Sequence, residues 1–159
     1  MCSRIDMKEF NRHIKNGNTF KKIYLGATPQ ELHHYIAKPL EDEHPDSAIL
    51  HIGTNSIASD DVNTIVNNVV RCVNRCREYG VNNVFVSQLT YRPGHEKKIN
   101  EVNDLLCTNQ FIHDFSIIDN SNISAYHVWR DNLHLNNEGR DILANNIIDA
   151  VNRAHATRH

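Results

Sequence analysis

The chain has 159 residues, with 17 Lys+Arg against 19 Asp+Glu and a formal net charge of -2. That length suits one domain, residues 1–159, around a single buried core. The mixed charge signs build no basic face for nucleic acid, and no stretch approaches the roughly eighteen apolar residues of a membrane span, so a soluble, cytoplasmic protein without a membrane partner is expected.

Ile5, Phe10 and Ile14 among polar residues predict a first helix ending near Gly17. Phe20 to Leu25 reads as a strand stopped at Gly26. Thr28 is placed as an N-cap with Pro29 at the first helical position, opening a helix that turns Leu32, Tyr35 and Ile36 inward and stops before Pro39. Ala48 to Ile52, apolar except for His51, has the pattern of a strand buried on both faces, ended by Gly53. Asp60 and Asp61 mark the start of the longest helix, along which Val62, Ile65, Val66, Val69, Val70 and Val73 recur at three-and-four spacing up to Gly80. Val84 to Val86 is the next strand, Ile99, Val102, Leu105 and Leu106 line the next helix, and Phe115 to Ile118 is the last strand. Asn136 then caps a helix bearing Ile142, Leu143, Ile147, Ile148 and Val151.

Strands alternating with helices long enough for right-handed crossovers predict an α/β three-layer sandwich on a parallel sheet. The abundant Asn residues read as compositional bias. The four cysteines, Cys2, Cys72, Cys76 and Cys107, show neither a disulfide framework nor paired CxxC spacing, and Cys72 and Cys76 fit a helix's apolar face as reduced core thiols. His95-Glu96 lacks the second His of HExxH, so no metal and no cofactor are expected. His33, His34, His44, His51, His113 and His127 are assigned to ordinary core or surface positions.

In parallel sheets ligands collect outside the carboxyl ends of the strands, so the residues after each strand carry the functional reading. Gly26 offers an unobstructed backbone N–H. Asn55, in Gly53-Thr54-Asn55-Ser56, offers a side-chain amide. Asp131 and His134 stand three apart ahead of the last helix, a spacing at which the carboxylate accepts a hydrogen bond from one ring nitrogen and leaves the other as a base. Trp129, just before this pair, either walls a substrate crevice or is buried against the sheet.

Gly26, then Gly53-Thr54-Asn55, then Asp131-x-x-His134-Leu135-Asn136 resemble the second, third and fifth conserved blocks of the SGNH (GDSL-type) hydrolases, in order and over nearly the whole chain. Gly26-Ala27-Thr28 is most similar to small SGNH domains of invertebrate proteins, some carried by retrotransposons. The resemblance implies a flavodoxin-like sheet and serine-esterase chemistry on a small ester substrate. His134 would be the general base, Asp131 would hold its tautomer, and Gly26 and Asn55 would donate to the oxyanion of the tetrahedral intermediate.

Two departures qualify the expectation. Ser56 replaces the Asp that usually ends the Asn55 loop, and its hydroxyl is expected to cap the loop more weakly than a carboxylate would. No Gly-Asp-Ser occurs, and the family's nucleophile block would end immediately upstream of Met1, so the reading is of an N-terminally truncated domain, inactive in this chain for want of its serine. Ser3, inside the first helical turn, is a poor substitute. In the family's strand order 2-1-3-4-5 the missing strand lies between Phe20–Leu25 and Ala48–Ile52. Roughly ten backbone groups would lose partners at about 1 to 3 kcal/mol each, so those strands must pair directly or leave the fold marginal. The competing reading is a non-catalytic SGNH-like module that binds protein or RNA. The lost nucleophile and Ser56 favour that module, and the absence of a basic stripe opposes it.

Overall fold

The computed structural model describes residues 28–132 and 134–156. The first expected helix, the Phe20–Leu25 strand, Ser3 and Gly26 lie outside them.

Helix α1 spans Pro29–Tyr35 and begins as its sequence dictates: Thr28 Oγ1 accepts from the Glu31 N–H while Glu31 reaches back to the Thr28 N–H at 2.8 Å, a complete capping box with proline at the first position. This helix stops before Pro39, as expected, but Pro39 does not end the helical run. After a break at Ile36, helix α2 (Ala37–Glu43) takes Pro39 into its first turn, where a missing N–H costs no intrahelical bond. Leu32, Ile36 and Leu40 are buried, but Tyr35 is 51% exposed, contrary to the inward position its spacing predicts, because the buried stripe runs at a spacing of four and leaves Tyr35 beside it.

Strand β1 is Ser47–Leu50, β2 is Asn83–Ser87 and β3 is Ser116–Ile118. They form a parallel sheet in the order β1-β2-β3, with Leu50 opposite Val86 and Ser87 opposite Ile118. Among the described residues this is the 3-4-5 portion of the expected sheet. Helix α3 (Val62–Glu78) is N-capped by Asp61, whose carboxylate accepts from the Thr64 N–H at 2.7 Å and is held below the usual carboxylate range by that bond. It closes at Gly80, whose φ of +81° is the left-handed conformation that suits a chain reversal. Helix α4 is Glu96–His113 and α5 is Asn137–Ala156.

Alternation along the strands sorts the core into two layers. Leu50, Val84 and Val86 pack with α1 to α4 around Ile65, Val69, Val73, Val102 and Leu106. Phe85 and Ile118 pack with α5 through Leu143, Ile147 and Val151. Helices on both faces of a parallel sheet make the predicted three-layer α/β sandwich. Cys72 and Cys76 are unpaired and buried in the first layer, where burial pushes their thiols up to about 12 and about 11. Thiols so far from ionising at neutral pH behave as small core hydrophobes. No helix of the described residues is long and apolar enough to cross a membrane.

Candidate active site

The loop after β1 turns at Gly53, whose φ of +112° few other residues adopt, and a Cβ there would come within 3.1 Å of the Leu89 side chain. Thr54–Ser56 then makes one 3-10 turn, leaving Asn55 exposed. The loop after β2 holds this turn from outside. Arg92 donates from Nη1 to the Thr54 carbonyl at 3.1 Å, and Asn103 of α4 clamps Leu89 by accepting from its N–H at 2.9 Å and donating to its carbonyl at 3.0 Å. Ser56 does not cap the loop. Its hydroxyl is buried without a hydrogen-bond partner, and the loop closes on itself through backbone bonds from Ser56 to Gly53 and from Asp60 to Ser56.

A polar chain crosses the carboxyl end of the sheet. His51 Nδ1 lies 2.9 Å from Ser87 Oγ; Asn120 Nδ2 donates to that hydroxyl at 2.8 Å and to the Gln88 carbonyl at 2.8 Å; Asn146 of α5 donates to Asn120 Oδ1 at 3.0 Å. Ser87 and Asn120 are buried. The Ser87 hydroxyl thus bridges Asn120 and His51 Nδ1, while the enclosed Nε2 of His51 has no hydrogen-bond partner. The residue as a whole is half-buried, but burial of the ring lowers its pKa to about 4, so it is neutral at physiological pH.

Asp131 and His134 sit on a tight reversal. Trp129 N–H donates to the His134 carbonyl at 2.8 Å, Asn132 N–H to the Trp129 carbonyl at 2.9 Å, and Asn136 N–H to the His127 carbonyl at 2.8 Å. Asn132 takes a φ of +58°, which asparagine tolerates better than most residues. Helix α5 anchors this loop. Asn136 caps it as predicted, accepting from the Gly139 N–H at 2.9 Å, and its own amide donates to the Tyr126 carbonyl at 2.7 Å. Gly139 lies so close to the turn that a Cβ would fall 2.6 Å from the His127 carbonyl oxygen.

On this platform Asp131 Oδ1 accepts from the His134 N–H at 3.1 Å, and Oδ2 lies 2.7 Å from His134 Nδ1. The carboxylate thus fixes the ring and its tautomer, keeping the proton on Nδ1 and the lone pair on Nε2. Both side chains are about half exposed, at 46% for His134 and 49% for Asp131. They line an open cleft of about 320 Å³ together with Trp129 and Arg130. Trp129 is therefore a cleft wall, not a residue buried against the sheet. A larger cleft of about 540 Å³, between Asp61 and the segment 94–101, contains none of the predicted residues and offers no acid–base pair of this geometry. Among the described residues no three His, Cys, Asp or Glu side chains gather where they could hold a metal ion.

Sequence reasoning missed Arg92, Ser87 and Asn120. The last two had a readable signal, since each is a small polar residue within two positions of the end of an expected strand, where a buried side chain must find a partner.

No protein-family pattern matches the sequence, and no curated protein matches it. Solved structures do. An acetyl esterase crystallised as a mutant with an acetate ion is 16% identical, with a TM-score of 0.77 over 84% of this chain and 70% of that one. A lipolytic G-D-S-L protein from Veillonella parvula is 19% identical, with a TM-score of 0.76 over 89% of this chain and 84% of its own. A family 3 carbohydrate esterase from Clostridium thermocellum is 21% identical, with a TM-score of 0.70 over 87% and 73%. With its parallel sheet, its helices on both faces and these neighbours, the chain has the SGNH hydrolase fold shared by G-D-S-L lipolytic proteins and carbohydrate esterases.

Proposed function

We propose that this domain carries the acid–base half of a serine esterase, acting on small carboxylic esters through an acyl-enzyme. The observation that carries the reading is the 2.7 Å contact between Asp131 Oδ2 and His134 Nδ1 at the mouth of an open cleft. A ring held in that tautomer takes the hydroxyl proton of a serine at Nε2 as the serine attacks the ester carbonyl, then returns it to the departing alcohol. Asn55, on a loop braced by Arg92 and Leu89, supplies one oxyanion donor, and the Gly26 N–H supplies the second. Neighbours that are an acetyl esterase and a family 3 carbohydrate esterase favour short acyl groups and sugar alcohols.

The reading requires a serine nucleophile beside His134, and the 159 residues contain no Gly-Asp-Ser block. Ser3 does not replace it. Without that hydroxyl, binding and oxyanion donors alone leave only about a thousand-fold over water. A fluorophosphonate probe tests the assignment. The 159-residue chain is expected to stay unlabelled, and a chain extended upstream by a strand and Gly-Asp-Ser is expected to label at the new serine. In the extended chain His134→Ala should abolish labelling. Labelling at Ser3, or labelling of the extended chain that survives loss of His134, would overturn the reading and leave a non-catalytic binding module as the better account.

A further inference from the structure

Two side chains in the dyad's cleft have no part in the acid–base step. Trp129 is the only tryptophan of the chain and is 43% exposed. Its exposure is not the looseness of a free loop, because its N–H is bonded to the His134 carbonyl and its own carbonyl to the Asn132 N–H. A large aromatic on a backbone held at both its N–H and its carbonyl, beside a candidate dyad, presents an apolar face to the cleft. Arg130 follows it in the same cleft. Among the described residues Arg130 makes no ion pair, since the adjacent carboxylate, Asp131, is engaged twice by His134. Among the described residues Arg130 is thus the one arginine or lysine lining the cleft, and the one carboxylate there is already committed.

We infer that Trp129 and Arg130 form a substrate subsite for an acidic sugar, with the pyranose C–H face stacked on the indole and the sugar's carboxylate bound by the guanidinium. The inference rests on the esterase reading, for it makes the alcohol part of the ester an anionic sugar. An indole covers the apolar face of a pyranose ring as it would another ring, and a guanidinium fork matches a carboxylate where a lone ammonium would not. A neutral sugar would satisfy the tryptophan alone and leave the arginine unused. A small anion without a ring would do the reverse. The pair together selects a ligand that carries both features, in a protein whose net charge of -2 gives anions no general attraction.

The single tryptophan makes the test direct on the 159-residue chain, because its fluorescence reports only position 129. Titration with methyl glucopyranosiduronate should shift or quench that emission saturably. Methyl glucopyranoside and the methyl ester of the uronate, which lack the charge, should bind about tenfold more weakly. Arg130→Gln should bring the uronate down to the level of the neutral sugars, and added salt should weaken the wild-type response alone. Equal binding of charged and neutral sugars, no response to any of them, or a preference that survives Arg130→Gln would overturn the inference. Its failure is separable from failure of the esterase reading. A serine-extended chain that takes up fluorophosphonate yet cleaves acetylated glucoside as fast as acetylated glucuronate keeps the reading and loses the subsite. Uronate binding in a domain that never labels loses the reading, and with it the subsite's role in catalysis.

Discussion

His51 and His134 face the same chemistry from opposite environments. The His51 ring is enclosed beyond β1, touched by a neutral hydroxyl, and held far below its usual titration range by burial. His134 is 46% exposed and braced by a carboxylate at 2.7 Å. The first ring is a structural group whose protonation the fold resists; the second is open to the cleft and oriented by its carboxylate. A base must be reachable and oriented, so exposure and a carboxylate partner, not the presence of an imidazole, separate the catalytic candidate from the structural one.

The contrast is sharpest in acid. An unfolded chain protonates His51 near its ordinary value of 6.5, while the folded chain refuses the proton until about 4. Between those values the unfolded state binds more protons, so the stability contributed by neutral His51 is present above pH 6.5 and is lost as pH falls towards 4. The total is about 3 kcal/mol, because each tenfold difference in proton affinity between the two states is worth about 1.4 kcal/mol. Denaturant midpoints measured from pH 7 to pH 4.5 should therefore fall steeply in the wild type, and more shallowly in His51→Gln. If His51→Gln and wild type lose stability in parallel, the ring is not the buried neutral group described.

A smaller effect is expected one link along. Asn120→Ala removes two donated bonds, to Ser87 Oγ and the Gln88 carbonyl, and the acceptor of Asn146. Leaving these buried groups unmatched should cost about 2 kcal/mol, nearly independent of pH. The acid-dependent difference between wild type and His51→Gln should persist in the Asn120→Ala background, because burial of the ring, its first cause, is untouched. Disappearance of that difference would mean that the hydrogen-bonded chain, and not burial, sets the state of His51.

Much of this is legible in residue order. The Asp61 cap, the Asn136 cap and the long helix ending at Gly80 follow from local rules, and so does the pairing of Asp131 with His134, whose partners are three residues apart. What the sequence hides is what depends on distant partners. The asparagines, which read as bias, turn out to hold the loops: Asn103 clamps Leu89 across 14 positions and Asn120 reaches Ser87 across 33. Pro39 reads as a stop because its local effect is that of a breaker, and only the break at Ile36 moves it into a first turn. Arg92 is beyond assignment from sequence, since nothing near it in the chain accepts its proton. Gly26 and the strand expected before it lie outside the described residues, and the oxyanion role of Gly26 stays a proposal.

Arg92 also offers the finest test of whether the two histidine regions are separate. Its guanidinium binds the Thr54 carbonyl, which already accepts the Ile57 N–H at 3.3 Å, so Arg92→Gln does not orphan that oxygen. The loss should be about 1 kcal/mol or less and local to the Asn55 turn. Amide exchange is the fitting measurement: the Ser56 and Ile57 amides, whose acceptors close the 3-10 turn, should lose protection, while those of β2 keep theirs. In a serine-extended chain the same substitution should lower the rate of ester cleavage several-fold without changing its dependence on pH, because it loosens an oxyanion donor and leaves the base alone. If loss of protection spreads from the turn into β2, the loop and the His51 chain move as one unit, and the division drawn between a rigid interior and an adjustable rim does not hold.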